Sequence, residues 1–217
     1  MTSWTPEQAL PEHLKQEIQD ATTPLDQMLC FFNIVGRLKT EKRTGWVNFK
    51  VPQPESIADH MYRMGVISML TKQELDTGRC VKMALVHDMA ESLVGDITPV
   101  DPMPKEEKHR RELATMEYLG KLVEKHNPEG AKEMVEIWNE YENCTTKEAR
   151  FVKDVDKYEL LVQTFEYEKR NKCDIDLSDF TQVRSAIKTA EVSELADNLL
   201  QKRREYWAAQ GKVPKLN

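Results

Sequence analysis

The sequence predicts an all-α protein built as a single domain, and three observations carry that prediction. Apolar residues recur at helical spacing through most of the chain, no run alternating polar with apolar competes in length, and no internal repeat or low-complexity segment interrupts the pattern. With 217 residues, 40% of them hydrophobic and 31% charged, the chain can bury one sizeable core and is rich in the helix formers Glu, Lys, Leu, Met and Ala.

About seven helices follow in order. Residues 25–39 (LDQMLCFFNIVGRLK) form the first, after a turn signal at Thr22 to Pro24. The polar stretch from Thr40 to Pro54, with Gly45, Pro52 and Pro54, reads as a loop or short extended hairpin. Ser56 with Asp59 three residues on is a capping box that opens a helix running to about Leu75. A third helix covers 77–93, and the turn signals from Gly95 to Pro104 separate it from helices at 104–126 and 128–143. Thr145 with Glu148 repeats the capping pattern before a helix to about Arg170, and the last helix covers 191–209 beyond the turn at Asn171 to Ser178. The expected layout is a peripheral extension at 1–23, the domain at 24–209 and a tail at 210–217.

Composition narrows the function classes. A net charge of −6 gives no broad positive field, which argues against binding a nucleic-acid polymer and means that a phosphorylated ligand needs local cations. Cysteines 30, 80, 144 and 173 are widely spaced without a CxxC pair, as expected of free thiols in a reducing compartment, hence the cytoplasm or nucleus. The first residues carry acids early and lack a long apolar run, so no secretory or transit signal is expected, and no apolar stretch reaches the 18 residues of a membrane span.

The informative feature is where His and Asp fall on the helices, because residues three and four apart share a face. His60 lies on the stripe of Ile57, Met61, Met64 and Ser68; His87, Asp88 and Glu91 edge the stripe of Val81, Ala84, Leu85 and Ser92; Asp156 lies on the stripe of Ala149, Val152 and Leu160. Taken singly, each has an ordinary reading: an inward His is commonly a hydrogen-bonded core residue, and Asp156 can pair with Lys153 or Lys157. Together, three helices turn acids or imidazoles inward, and a buried carboxylate needs a cation, a donor network or a proton. Two imidazoles and two carboxylates suit a borderline divalent ion, with Mn, Co, Fe or Zn favoured over Ca.

This order of His, His-Asp and Asp resembles the HD-domain superfamily of metal phosphohydrolases, at His60, His87 with Asp88, and Asp156. The strings RTGW (43–46), PESIADHMYR (54–63), ALVHDMAESLVGDI (84–97), PKEEKHRRE (104–112) and FVKDVDKYE (151–159) resemble the HD domain-containing protein 2 group, which is similar to bacterial 5′-deoxynucleotidases. The resemblance implies an HD-type helical bundle, a homodimer, one catalytic divalent metal, and hydrolysis of deoxyribonucleoside 5′-monophosphates to deoxynucleoside and phosphate. By motif position it makes Glu91 the catalytic glutamate, Asp96 a substrate-contacting aspartate, Arg43 the phosphate-contacting arginine and Trp46 the tryptophan that excludes a ribose 2′-OH. Here Thr44 and Gly45 separate Arg43 from Trp46, whereas the bacterial enzymes place the two side by side, so sugar discrimination is where this chain departs from the pattern.

Glu91, placed one turn after His87, is expected to pass a proton between the attacking water and the leaving 5′-oxygen. The surplus carboxylates Glu91, Asp96 and Asp101 leave room for a second, weaker cation such as Mg. Lys105, His109 and Arg110 are candidates for a basic lid over the substrate, the alternative being a solvated helix start. Two other functions stay open: an HD phosphohydrolase acting on a triphosphate, cyclic nucleotide or guanosine tetraphosphate, and a non-catalytic helical binding module stapled by its metal.

Overall fold

The computed structural model describes residues 4–215, and within them the chain folds into eleven α-helices and two 3₁₀ segments. The one extended pairing among these residues is an isolated antiparallel bridge between Lys42 and Ser56. The all-α expectation therefore holds, and the count exceeds seven because several helices are too short to show a period in the sequence.

Two of these come first, α1 (Pro6–Ala9) and α2 (Glu12–Asp20), and Leu10 and Leu14 from this stretch are buried in the main core. Helix α3 (Pro24–Gly36) opens on a reciprocal box: Asp26 N–H donates to the Thr23 hydroxyl and Thr23 N–H donates to the Asp26 carboxylate. It tightens into a 3₁₀ turn at Arg37–Lys39. The expected loop then contains a one-turn helix, α4 (Thr44–Asn48), which lies so close to Phe180 that a Cβ on Gly45 would meet its ring at 3.3 Å.

Helix α5 (Ile57–Met69) begins on the Ser56–Asp59 box that the sequence predicts, and stops short of Leu75. The expected helix over 77–93 divides in two: α6 (Thr77–Val86) gives way to a turn at His87 to Ala90 before α7 (Glu91–Val94). Through that turn the amides of Met89, Glu91, Ser92 and Leu93 each bond the carbonyl three residues back, so the backbone is wound more tightly than an α-helix. Gly95 ends α7 with φ +81°, ψ 163°, a conformation open essentially to glycine alone.

The second half comprises α8 (Lys105–Glu124), α9 (Pro128–Asn143), α10 (Lys147–Arg170), a 3₁₀ segment at Ser178–Ala186 and α11 (Ala190–Ala209). The cap of α10 is Thr146 rather than Thr145; its hydroxyl accepts from the Ala149 amide at 3.1 Å, and Glu148 turns away to accept from the Asp76 amide. Helix α10 runs through the middle and packs against α5, α6, α9 and α11. Its Ala149, Val152, Val155 and Leu161 join Met64, Met83, Leu119 and Trp138 in the core, where each large apolar side chain contributes about 1.5–3 kcal/mol.

Carboxylates of α10 also tie neighbouring elements down. Asp154 accepts from the amides of Lys188 and Thr189 at 2.8 and 2.7 Å, capping α11, whose own Thr189 side chain makes no cap bond. Glu168 is fully buried and accepts from Arg203, the Trp207 indole and the Leu177 amide. This pairing satisfies a buried guanidinium that would otherwise be costly.

Candidate functional site

Helix α5, the turn after α6 and helix α10 converge where their inward polar residues meet. His60 Nε2 stands 3.3 Å from Asp156 Oδ1 and 3.9 Å from Asp88 Oδ2, and His87 Nε2 stands 3.1 Å from the same Asp88 oxygen. The two imidazole rings are 5.5 Å apart. All four residues that the sequence singled out as metal ligands are thus brought together. Asp156 does not pair with either neighbouring lysine: Lys153 faces Glu142 and Lys157 faces Asp154.

The tautomers follow from what lies behind each ring. The Ala84 carbonyl 2.9 Å from His87 Nδ1 can only accept, so Nδ1 carries a proton, and in the neutral ring the lone pair is on Nε2. On His60, Nδ1–H donates to Glu159 Oε2 at 2.5 Å. Both Nε2 atoms are buried without a hydrogen-bond partner, a costly arrangement for two polar atoms unless something binds them. Their environment suits a divalent cation, since donor spacings of 3.1–3.9 Å resemble the roughly 3–3.5 Å between neighbouring ligand atoms around an ion at about 2.1 Å.

The electrostatics point the same way. Burial works against charge on Asp88 and Asp156, yet the imidazoles and Arg43 hold both carboxyls well below the usual range. Burial and Arg43 oppose a proton on His60, but Glu159 and Asp156 outweigh them and push its pKa up to about 10. The site therefore attracts positive charge strongly, and a metal entering it displaces a proton.

Arg43 stands at the start of α4, where its NH1 donates to Asp88 Oδ2 at 3.2 Å. Its helix is capped from outside: Thr44 N–H donates to Asp96 Oδ2 at 2.6 Å, and the Thr44 hydroxyl donates to the Asp96 carbonyl at 2.7 Å. Glu91 is 3% exposed and its Oε2 has no partner. Burial, then Asp88 and Asp96, push its pKa well up, so it holds a proton beyond the ordinary carboxylate range. Glu91 follows His87 by four residues through the tight turn, where its amide donates to the Asp88 carbonyl at 3.0 Å, so the charge of Asp88 acts on its carboxyl.

Trp46 is 1% exposed, packed between Tyr167 and Phe180 with its indole N–H donating to Glu55 at 2.9 Å. Its ring offers no open face to a ligand. A cavity of about 530 Å³ beside the site is lined instead by Thr44, Gly95, Asp96, Ile97, Met103 and Arg111, among others. Of the basic residues considered as a lid, Arg110 pairs with Glu107, His109 stacks on Trp138, and Lys105 is exposed.

Three residues near the site were given no role from the sequence, although Lys108 and Glu159 lie within the strings that carry the resemblance. Lys108 of α8 lies 3.4 Å from Glu112; burial opposes its charge, but Glu112, Glu91 and Asp88 outweigh that and raise its pKa. The Tyr141 hydroxyl donates to Asp156 Oδ2 at 3.2 Å while its ring packs on His87, 4.9 Å between centroids. Glu159 completes the group behind His60. Each is a polar residue on a helix whose period shows only that it is helical; the partner that gives it meaning lies on another element.

A helical bundle with His, His-Asp and Asp gathered at its centre defines a class, and the chain belongs to it: the HD domain family matches residues 35–196. Among its relatives, the 5′-deoxynucleotidase YBR242W of Saccharomyces cerevisiae is 47% identical over 209 residues, 95% of this chain and 87% of that protein. The 5′-deoxynucleotidase HDDC2 of Homo sapiens is 49% identical over 155 residues, 70% of this chain and 74% of that one. Of solved structures, the HD domain-containing protein YGK1 superposes with a TM-score of 0.72 at 35% identity, covering 94% of this chain and 99% of its own.

Proposed function

We propose that this protein is a metal-dependent 5′-deoxynucleotidase that hydrolyses deoxyribonucleoside 5′-monophosphates to deoxynucleoside and phosphate. The carrying observation is the pair of buried, unpartnered Nε2 atoms of His60 and His87 set between Asp88 and Asp156. Relatives named 5′-deoxynucleotidase at 45–50% identity support the choice of reaction.

His60, His87, Asp88 and Asp156 would hold one divalent transition metal, Mn, Co, Zn or Fe by the mixed nitrogen and oxygen donors. Such a metal supplies Lewis acidity, lowering the pKa of water and neutralising charge on the phosphoryl group. Arg43, anchored on Asp88, adds a guanidinium suited to a phosphate dianion in a protein of net charge −6. Glu91, protonated by burial and its acidic neighbours, is placed to deliver a proton to the leaving 5′-oxygen. Asp96 positions the Arg43 turn and, with its second oxygen, serves the sugar side from the wall of the adjoining cavity. Trp46 acts from behind that turn, setting its height through packing rather than touching the 2′-position.

The test measures zinc or manganese stoichiometry, and phosphate released from dAMP, in wild type and Asp88→Ala. One metal per wild-type chain with turnover, and loss of both in the variant, is expected. A variant that keeps its metal removes the ligand assignment, and release of tripolyphosphate from dATP without action on dAMP removes the substrate.

A homodimer is supported by exposed apolar stripes, Leu25, Leu29 and Phe32 on α3 and Tyr62, Val66 and Met69 on α5, and sedimentation velocity tests it. No helix among the described residues is long and apolar enough to cross a membrane, and the four cysteines are free, in keeping with a cytoplasmic or nuclear enzyme; fluorescent tagging tests that placement.

A further inference from the structure

Glu159 is a carboxylate with no exposed surface, set behind the site on α10, one helical turn beyond Asp156. Its two oxygens do different work. Oε2 accepts the Nδ1 proton of His60 at 2.5 Å, and Oε1 accepts from Arg63 Nε at 2.7 Å and from the same guanidinium's NH2. Arg63 in turn donates to Gln163 and to Glu166 at the surface. The pattern follows from helical spacing: His60 and Arg63 share a face of α5, and Asp156, Glu159 and Gln163 share a face of α10. Where the faces meet, a line of charge runs from solvent through Arg63 and Glu159 to the back of His60.

Charge balance on the surface does not require this carboxylate, because Arg63 already has Glu166. Burying an acid this deeply is costly, the more so with the Glu55 carboxylate close by, and its other hydrogen-bond partner is the His60 imidazole. A hydrogen bond to a carboxylate fixes both the tautomer and the ring plane, so the Nε2 lone pair is held toward Asp156 and Asp88, and it makes the imidazole a stronger donor than one backed by a neutral carbonyl. His87, backed by the Ala84 carbonyl, is the weaker of the two.

We propose that Glu159 is a positioning residue that holds His60 as the stronger metal-binding imidazole, with Arg63 locking Glu159 in place. The proposal rests on the metal site described above, and it names a residue outside that ligand set. Glu159 touches no substrate; it acts through His60.

The experiment measures zinc affinity of the metal-free full-length protein by competition with a chromophoric chelator, for wild type, Glu159→Gln and Glu166→Gln. Glu159→Gln is expected to bind zinc about 10–100-fold more weakly, the usual cost of losing such a support. Glu166→Gln, which loses an Arg63 contact without touching His60, is expected to match wild type. Wild type that takes up no zinc overturns the metal site itself. Wild type that binds while Glu159→Gln binds equally well, or both variants weakened alike, overturns the role of Glu159 alone. Should Glu159→Gln fail to fold, nitrogen-15 NMR of the zinc-loaded wild type decides: the proposal requires the proton on Nδ1 of His60, and a proton on Nε2 refutes it.

Discussion

Replacing Glu91 with Gln keeps its shape and removes its proton chemistry, and the structure predicts that activity and stability then move in opposite directions. Glu91 is 3% exposed and pushed well above the ordinary carboxylate pKa by burial, Asp88 and Asp96. An unfolded chain releases this proton near pH 4.5, whereas the metal-free folded chain retains it to higher pH. Over that interval the folded state binds more protons than the unfolded one, so stability falls as pH rises, at up to about 1.4 kcal/mol per pH unit. Glu91→Gln has no such term. The variant should match wild type at pH 4.5 and exceed it increasingly above, by roughly 2–4 °C in Tm for each kcal/mol in a chain this size. Phosphate release from dAMP with saturating metal should drop by about 100-fold or more, the usual scale of general acid–base catalysis. Calorimetric scans of chelated protein at pH 5, 6 and 7, alongside kcat and bound-metal content, test both halves. Near-normal turnover would make Glu91 a bystander, loss of metal would make it a ligand, and a Tm difference that does not grow with pH would refute the electrostatic account.

Arg43→Ala should lower kcat/KM for every deoxynucleoside monophosphate alike, by about 10–150-fold, equivalent to one charge-assisted hydrogen bond; a loss confined to one base refutes the phosphate role. Trp46→Phe keeps the aromatic packing and loses the bond to Glu55, so stability should fall by about 1 kcal/mol in urea melts while the dAMP to AMP ratio of kcat/KM stays unchanged; a marked gain of AMP activity would restore a direct sugar contact. Gly95→Ala introduces no clash but forces an L-residue to φ +81°, and should cost about 1–3 kcal/mol of stability in the same assay.

What the sequence made legible was whatever a single helix face encodes. The Ser56–Asp59 box, the helical stretches above ten residues and the inward placement of His60 and Asp156 are all properties of spacing within one segment. The break after Val86 was not, because His87 to Ala90 contain neither Gly nor Pro; only the backbone shows the tighter winding, in which the Glu91 amide bonds the Asp88 carbonyl. Trp46 looked like a ligand contact from its motif, but whether an indole faces a cavity or a core depends on Tyr167 and Phe180, residues more than a hundred positions away in sequence. Separation in sequence also hid Glu159 behind His60, 99 positions away, and Glu168 under Arg203, 35 positions away, since a buried acid on a long charged helix reads locally as one more solvated Glu.

The bond from Thr44 N–H to Asp96 Oδ2 makes one carboxylate the hinge between two loops. One loop carries the guanidinium assigned to the phosphate, and the other forms the wall of the cavity assigned to the sugar and base. The opposite ends of a nucleotide are therefore not read independently. Truncating Asp96 would release the first amide of α4 and let Arg43 drift, so the energetic loss would already contain part of what Arg43 supplies. A double-mutant cycle between Asp96 and Arg43 should show a coupling of about 0.5–3 kcal/mol, the range for residues sharing a network, and recognition of sugar and phosphate would then count as one thermodynamic event rather than two.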